Sequence, residues 1–251
     1  MFDAQAITRC HQVFCEVLAV LGDAAADAYV IGGWAIYYVL HPPDRPAASL
    51  QYAGTLDVDV ALVLQVAARQ EIANRLTTKG YFPHPRIENR YLRPFRDSNV
   101  EPVAVDFLPG DKEVLQNLTH RVRVLGETPD GTAFDGSVAV ANIEACLAMK
   151  AIAFEQDPKD KDAYDIYYLV THAHDAQGDC ADHVKATLDH AFVRRGLEVL
   201  TVHFGRKEGR GLRKAMQTLR DQDGLEPADA RAAVRASFRG FFRKVGKDVD
   251  Y

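Results

Sequence analysis

The sequence predicts an α/β fold, in which a small mixed β-sheet flanked by helices precedes a helical C-terminal region. In the first half, the apolar run at 29–31 leads into Gly32-Gly33 and a helical segment, an arrangement typical of a strand-to-helix turn. A second apolar stretch, Thr55–Val60, alternates polar and apolar residues with the two-residue period of a strand. The second half carries helical spacing almost throughout, so the sheet is expected to belong to the first half alone.

Hydrophobic spacing assigns the elements of the first half in order. Apolar residues recur at helical intervals over 3–21, and Gly22-Asp23 ends that helix. Helices are also expected over 34–40 and 65–79, the latter with Gly80 as its C-cap. Strands are expected at 29–31, 55–63, 90–95, 102–108, 120–125 and 137–140, with an irregular connector at 81–85. The proline-rich loop 41–46 carries Arg45, either a phosphate ligand or a solvated side chain.

Helices account for the rest of the chain. Asn142 is expected to cap a helix over 143–154, and Pro158 separates that helix from the next, over 159–172. Further helical stretches are expected near 180–204, 211–220 and 227–245. We therefore expect an α/β region over residues 1–140 and a helical region over 141–251.

Paired aspartates mark the candidate site. Asp57 and Asp59 lie two apart on one strand, so both carboxylates are expected on the same face, about 7 Å apart along the chain. Val58 and Val60 would then face the core. Like charges this close repel each other, and a divalent metal with oxygen ligands is the usual reason for such a pair. Asp106 offers a third carboxylate in an apolar strand. Taken singly, Asp-x-Asp also suits an exposed strand face, and Gly-Gly an ordinary turn.

Composition narrows the class of protein. Hydrophobic residues make up 47% and charged residues 26% of the chain, as in ordinary globular proteins. No run of 18 apolar residues predicts a membrane span, and the N-terminus does not resemble a signal peptide. The four cysteines form no Cys-x-x-Cys pair, which indicates reduced structural thiols rather than a zinc site in a cytoplasmic protein.

Charge is unevenly distributed along the chain. The net charge of −5 argues against a protein that coats nucleic acid non-specifically. Residues 192–247, however, hold 14 Lys or Arg against 6 Asp or Glu. Within them Arg231, Arg235, Arg239 and Arg243 recur every four residues, which predicts a basic face on the last helix. That face is either solvated or a surface for a phosphate-rich substrate such as RNA.

Three features in order carry a family resemblance: Gly32-Gly33 opening a helix, Asp57-x-Asp59 on the next strand, and Asp106 on a later strand. This constellation resembles the nucleotidyltransferase superfamily, whose fold it implies. Lys150 and the segment Lys161-Asp162-x-x-Asp165 make the chain most similar to the AbiEii-type toxin branch. The resemblance spans roughly residues 28–170.

The resemblance implies roles for these residues. Asp57 and Asp59 would bind two Mg²⁺ ions, and Asp106 would bind the ion on the acceptor side. Gly32 and Gly33 would lie against a nucleoside triphosphate.

For the helical half the resemblance implies that Lys150 reaches a phosphate, although a lysine on an amphipathic helix is also commonly exposed. Lys161, Asp162 and Asp165 would organise the nucleotide pocket or form ion pairs that hold the helical half against the sheet.

The implied activity is Mg²⁺-dependent transfer of a nucleoside monophosphate to a macromolecule such as tRNA, by the toxin of a toxin–antitoxin or phage-defence pair. An antitoxin protein would be its partner. Trp34 departs from the pattern, because many superfamily members carry serine there. Aminoglycoside and lincosamide nucleotidyltransferases have a similar Gly-Gly-Trp-Ala, so nucleotidylation of a small hydroxylated molecule is an alternative. Trp34 itself is expected either in the nucleotide site or as an ordinary aromatic residue of the core. A non-catalytic module with the same fold is a third alternative.

Overall fold

A computed structural model describes residues 4–41, 55–63, 65–97 and 99–249, without the side chains of 66, 67, 222 and 223. Arg45 and the rest of its loop lie outside the described residues. The described chain forms two compact units, an α/β unit within 2–38 and 43–141 and a helical unit of 39–41 and 142–249. No helix in the described ranges has the length and apolar character to cross a membrane.

The α/β unit contains a seven-stranded sheet and four α-helices among its described residues. Its elements are α1 (Ala4–Leu21), β1 (Ala28–Val30), α2 (Gly32–Leu40), β2 (Asp57–Leu62), α3 (Val66–Thr78), β3 (Phe82–Pro83), β4 (Arg90–Arg93), β5 (Val103–Pro109), α4 (Lys112–Asn117), β6 (Thr119–Glu127) and β7 (Ala133–Ala141). The last two residues of α2 group with the helical unit.

The sheet is mixed, as the sequence predicts, with the strand order β3-β4-β5-β2-β1-β7-β6. β2 runs parallel to β5 and antiparallel to β1, and β1 runs parallel to β7. The central strands β1 and β2 bury Val30, Val58 and Val60 completely, and α1 packs against the sheet over β6 and β7. This apolar layer leaves the polar positions of β2 on the opposite face.

The helical unit contains six α-helices and a small hairpin in the part that the structure describes. Its elements are α5 (Ile143–Gln156), α6 (Asp160–His172), β8 (His174–Asp175), β9 (Gly178–Asp179), α7 (Cys180–Ala186), α8 (Ala191–Phe204), α9 (Arg210–Asp223) and α10 (Pro227–Lys244). α5 packs against α6 and α8, while α9 and α10 pack on α6. Its core includes the aromatic side chains of Phe154, Phe204 and Phe238.

Several short elements differ from the sequence expectation. The connector 81–85 contains the two-residue strand β3, and α4 was not expected at all. α4 begins where Asp111 accepts hydrogen bonds from the backbone N–H groups of Glu113 and Val114. The stretch expected as one helix over 180–204 is two helices, α7 and α8. Elements of two to seven residues are too short to show a hydrophobic period.

Asn142 corrects one expectation about capping. It occupies the N-cap position of α5, but its side chain makes no capping hydrogen bond to the backbone of that helix. Its amide nitrogen instead donates to Oε1 of Glu144 at 3.4 Å. The helix therefore begins without the expected side-chain cap.

Candidate active site

The three aspartates of the α/β unit lie on two adjacent parallel strands. Asp59 on β2 is the register partner of Asp106 on β5, and Asp57 is paired with Ala104. Neighbouring strands run about 4.8 Å apart and paired residues share a face, so Asp59 and Asp106 stand side by side. Asp57 and Asp59 are half-buried, while Asp106 is buried. The arrangement gathers three carboxylates on one face of the sheet.

Gly32 brings the backbone at the start of α2 directly against this face. Its φ is +63°, in the left-handed region that favours glycine. A Cβ at this position would lie 2.0 Å from Oδ2 of Asp59 and 2.9 Å from its Cβ. The preceding residue, Ile31, donates its backbone N–H to the carbonyl oxygen of Asp59 at 3.1 Å. Glycine is therefore required here by backbone conformation and by the nearby carboxylate.

Thr55 orients the first aspartate. This residue is only 1% exposed, and its hydroxyl donates a hydrogen bond to Oδ1 of Asp57. Gly33 makes room for it, because a Cβ on Gly33 would lie 2.4 Å from Cβ of Thr55. The two glycines thus accommodate different partners: Gly32 fits against Asp59, and Gly33 fits against the threonine that holds Asp57.

Arg90 on β4 holds the third aspartate. It is the register partner of Asp106 across the antiparallel β4–β5 pair. Its Nε lies 2.7 Å from Oδ1 and its Nη2 lies 2.6 Å from Oδ2 of that carboxylate. These hydrogen bonds raise the pKa of Arg90 against the opposing effect of burial, and the negative charges of Asp106, Asp57 and Asp59 raise it further. The positive charge of Arg90 therefore interacts with all three carboxylates.

The donor set suits Mg²⁺, which prefers carboxylate oxygens. Across the described residues, however, no three Asp, Glu, His or Cys side chains are arranged to hold one ion. In this arrangement the Asp57 carboxylate accepts from Thr55, and both oxygens of Asp106 accept from Arg90. The ligand chemistry fits the ion, while the carboxylates of Asp57 and Asp106 already accept hydrogen bonds from protein donors.

The Trp34 side chain belongs to the core of the α/β unit. It is 1% exposed, stacks on Phe14 at a centroid distance of 5.4 Å, and donates its indole N–H to Sγ of Cys10. Burial raises the pKa of Cys10 to about 12, the indole N–H opposes this shift, and the charges of Asp57 and Asp59 add to it. The thiol is therefore protonated at neutral pH. Of the two interpretations of Trp34, the structure favours the core aromatic.

A second charged cluster lies in the helical unit, between α5 and α6. Nζ of Lys150 is 2.8 Å from Oδ1 of Asp162 and 2.8 Å from Oδ2 of Asp165. Lys161 lies 3.1 Å from the same oxygen of Asp165. Burial alone would lower the pKa of Lys150, but Asp165 and Asp162 outweigh it and raise that pKa above its ordinary value. Lys150 is a half-buried cation bound to two carboxylates.

Comparison with known families decides the classification. The family model described as "Nucleotidyl transferase AbiEii toxin, Type IV TA system" matches residues 55–251, most of the chain. The chain belongs to this AbiEii nucleotidyltransferase family. Membership makes it a nucleotidyltransferase toxin of the type IV toxin–antitoxin class, and it implies a nucleoside triphosphate substrate and an antitoxin partner. The predicted family and enzyme class are thus confirmed.

Solved structures support the same fold. Helicobacter pylori JHP933 is similar with 12% identity and a TM-score of 0.51, over 98% of this chain and 95% of that one. A second H. pylori protein, assigned as a nucleotidyltransferase, is similar with 13% identity and a TM-score of 0.52, over 98% of both chains. The antibiotic-resistance factor ANT(2″)-Ia aligns with a TM-score of only 0.37 and does not bear on the fold. No curated protein matches this AbiEii-family chain.

Sequence reasoning missed two residues that contact the candidate aspartates. Thr55 lies just before β2, two residues from Asp57, so its closeness in sequence is a signal that the sequence does contain. Arg90 carries no such signal. It lies 16 residues before Asp106, and their contact depends on the register of β4 against β5. The matched range begins at Thr55, so the contact between Gly32 and Asp59 comes from the structure alone.

Proposed function

We propose that this toxin transfers a nucleoside monophosphate from a triphosphate to RNA, with tRNA as the acceptor, in a reaction that depends on two Mg²⁺ ions. The observation that carries the catalytic part is the register of Asp59 and Asp106, with Asp57 on the same face of the sheet. Three carboxylates this close to one another contribute little to the structure. Because the family transfers nucleotides, their arrangement supports a catalytic role. Domain limits of 1–140 and 141–251 are part of the same proposal.

Each residue has a role in this proposal. Asp57 and Asp59 hold both ions, Asp106 holds the ion on the acceptor side, and Thr55 fixes the direction of Asp57. Bound ions would orient the triphosphate and lower the pKa of the acceptor hydroxyl. The first turn of α2, from Gly32, presents backbone N–H groups suited to a phosphate.

Trp34 and the charged cluster of the helical unit complete the assignments of this proposal. Trp34 takes part only through its backbone, because its side chain is buried. We assign Lys150 as a phosphate-side cation, with Asp162 and Asp165 fixing its position. We assign Lys161, whose side chain is 36% exposed, to nucleotide binding.

We assign RNA as the acceptor because of the arginine side chains on the last helix, α10. On α10, Arg231, Arg239 and Arg243 are exposed, whereas Val234 and Phe238 are completely buried. Arg235 differs, since it is half-buried and donates to the carbonyl oxygen of Lys207 at 3.4 Å. The basic face of α10 is therefore an exposed row of charge, which suits a phosphate backbone.

The decisive experiment offers four labelled nucleoside triphosphates and bulk tRNA with Mg²⁺, with an Asp57→Asn, Asp59→Asn variant as control. We expect the wild type alone to label tRNA. Triphosphate binding without labelling of tRNA would overturn the acceptor and direct the search to small hydroxylated molecules or proteins. Labelling by the variant would overturn the assigned catalytic residues.

RNA binding is tested separately through its salt dependence. We expect Arg231→Glu with Arg243→Glu to weaken tRNA binding and to reduce the slope of log K against log salt by about 0.7–0.9 per lost phosphate contact. Lys112→Glu with Arg121→Glu makes the same change in charge on α4 and β6 and should leave the slope unaltered. Equal slopes for the two double variants would contradict the assignment of α10.

A further inference from the structure

Arg90 forms two hydrogen bonds with the carboxylate of Asp106. Its Nε donates to Oδ1 of Asp106 at 2.7 Å, and its Nη2 donates to Oδ2 at 2.6 Å. The Asp106 side chain is 13% exposed and that of Arg90 is 30% exposed, so water screens the pair only in part. Two parallel N–H···O bonds to one carboxylate form the strongest type of side-chain hydrogen bonding in proteins.

The oxygens that Arg90 covers are also the ones that the proposed function assigns to a metal ion. Each oxygen of this carboxylate already accepts one hydrogen bond from the guanidinium, so fewer of its lone pairs are available to a cation. The charges of Asp57 and Asp59 also act on Arg90, so its positive charge opposes a cation that binds near these aspartates. A divalent ion therefore meets both a partly occupied ligand and a like charge.

We propose that Arg90 competes with the divalent cation for Asp106 and thereby lowers the cation affinity of the nucleotide-free toxin. This inference rests on the proposed function, because it concerns the same carboxylates. When the cation takes Asp106, the guanidinium needs another anion, and the triphosphate is the anion that the reaction brings. Arg90 thus couples filling of the Asp106 position to the arrival of the nucleotide.

The test measures Mn²⁺ binding to the full chain by titration calorimetry, without nucleotide and with unreactive α,β-methylene triphosphates. Without nucleotide, Arg90→Gln should bind Mn²⁺ at least tenfold more tightly than the wild type. The analogues should tighten Mn²⁺ binding in the wild type and add little in Arg90→Gln. An unchanged or weaker Mn²⁺ affinity in Arg90→Gln would overturn the inference.

A matched control removes the same kind of contact elsewhere in the α/β unit. Arg123 on β6 forms a similar fork with Asp135, at 2.9 and 2.6 Å, away from the three aspartates in the strand order. Arg123→Gln should leave Mn²⁺ affinity unchanged. A gain equal to that of Arg90→Gln would show a general effect of lost positive charge and would overturn the competition.

Coupling to Asp106 distinguishes competition from a merely structural role. In an Asp106→Asn background, Arg90→Gln should raise Mn²⁺ affinity much less than in the wild-type background, because the contested ligand is gone and only the charge effect remains. If Arg90→Gln fails to fold, Arg90→Lys provides the same comparison, since an ammonium keeps the charge and loses the fork. Arg90→Lys should bind Mn²⁺ more tightly than the wild type, and identical affinities would count against the inference.

Failure of this inference is distinguishable from failure of the proposed function. If Asp57→Asn with Asp59→Asn abolishes Mn²⁺ binding while Arg90→Gln leaves it unchanged, only the role of Arg90 is overturned. If Mn²⁺ binding survives in the double aspartate variant, the proposed metal site itself is wrong.

Discussion

Replacing Gly32 with alanine tests the geometry on which the site depends. Two effects add at this position. A non-glycine residue at φ +63° costs about 1 kcal/mol in backbone energy. The new Cβ would also lie 2.0 Å from Oδ2, 2.8 Å from Cγ and 2.9 Å from Cβ of Asp59, so rotating the carboxylate does not relieve the clash.

The magnitude follows from these distances. Non-bonded Cβ contacts under 3.0 Å are essentially never seen, so Asp59 must shift by about 1 Å or more. Overpacking of this kind costs about 1–3 kcal/mol, which with the backbone term predicts a loss of about 2–4 kcal/mol in the free energy of unfolding. A misplacement of about 1 Å in a catalytic group costs on the order of 100-fold in rate.

Gly224 provides a matched control. Its φ is +67°, nearly that of Gly32, and a Cβ there would meet nothing within 4 Å. Gly224→Ala should therefore lose only the backbone term, about 1 kcal/mol, and keep full activity. Urea unfolding measures the stability of both variants, and label transfer to tRNA measures their activity.

One outcome of comparing Gly32→Ala with Gly224→Ala would refute this reasoning. If Gly32→Ala loses no more stability than Gly224→Ala and transfers nucleotide at the wild-type rate, the backbone of Gly32 does not lie against Asp59. The close approach of α2 to the carboxylates would then be wrong, and with it the assignment of the first turn of α2 to the triphosphate.

Three further predictions concern charge and hydrogen bonding. Lys150→Met removes the ammonium that two buried carboxylates share, so urea unfolding should show a loss of about 3 kcal/mol or more, whereas Lys159→Met at an exposed ion pair should show none. Thr55→Val should reduce nucleotide transfer about tenfold, because the hydroxyl that holds Asp57 is lost. Thr55→Ser keeps a hydroxyl and should transfer at nearly the wild-type rate. Equal rates for the two variants would contradict this role of Thr55. Burial lowers the pKa of His11, so the unfolded chain binds a proton that the folded chain does not, and the free energy of unfolding should fall as pH drops below 6.5. His11→Phe should reduce this pH slope, and an unaltered slope would refute the assignment.

The two faces of β2 could be predicted from the sequence, and its partners on the neighbouring strands could not. Alternation around Asp57 and Asp59 placed both on the polar side of β2, with Val58 and Val60 in the core. That Asp59 faces Asp106 depends on the register of a parallel pair, which no local pattern specifies. Register is fixed by packing of the whole sheet.

The charged residues of the helical unit show the same limit. Lys161 and Asp165 are four apart on α6, so their ion pair follows from helical spacing. Lys150 belongs to another helix, and its contacts with Asp162 and Asp165 depend on how α5 packs on α6. Trp34 posed a related problem, because its position beside the glycines suggested a ligand contact, while the face of α2 that it occupies packs on α1 residues such as Phe14.

The two ends of the described sheet differ in how readily another chain can add a strand. β3 has only two residues, and one of them, Pro83, has no backbone N–H to donate. β6 has nine residues and pairs only with β7 in the described sheet order. Unwanted edge-to-edge association is therefore blocked at β3. Of the two ends of this seven-stranded sheet, β6 is therefore the one that offers a long edge to a partner protein or to a second copy of the chain.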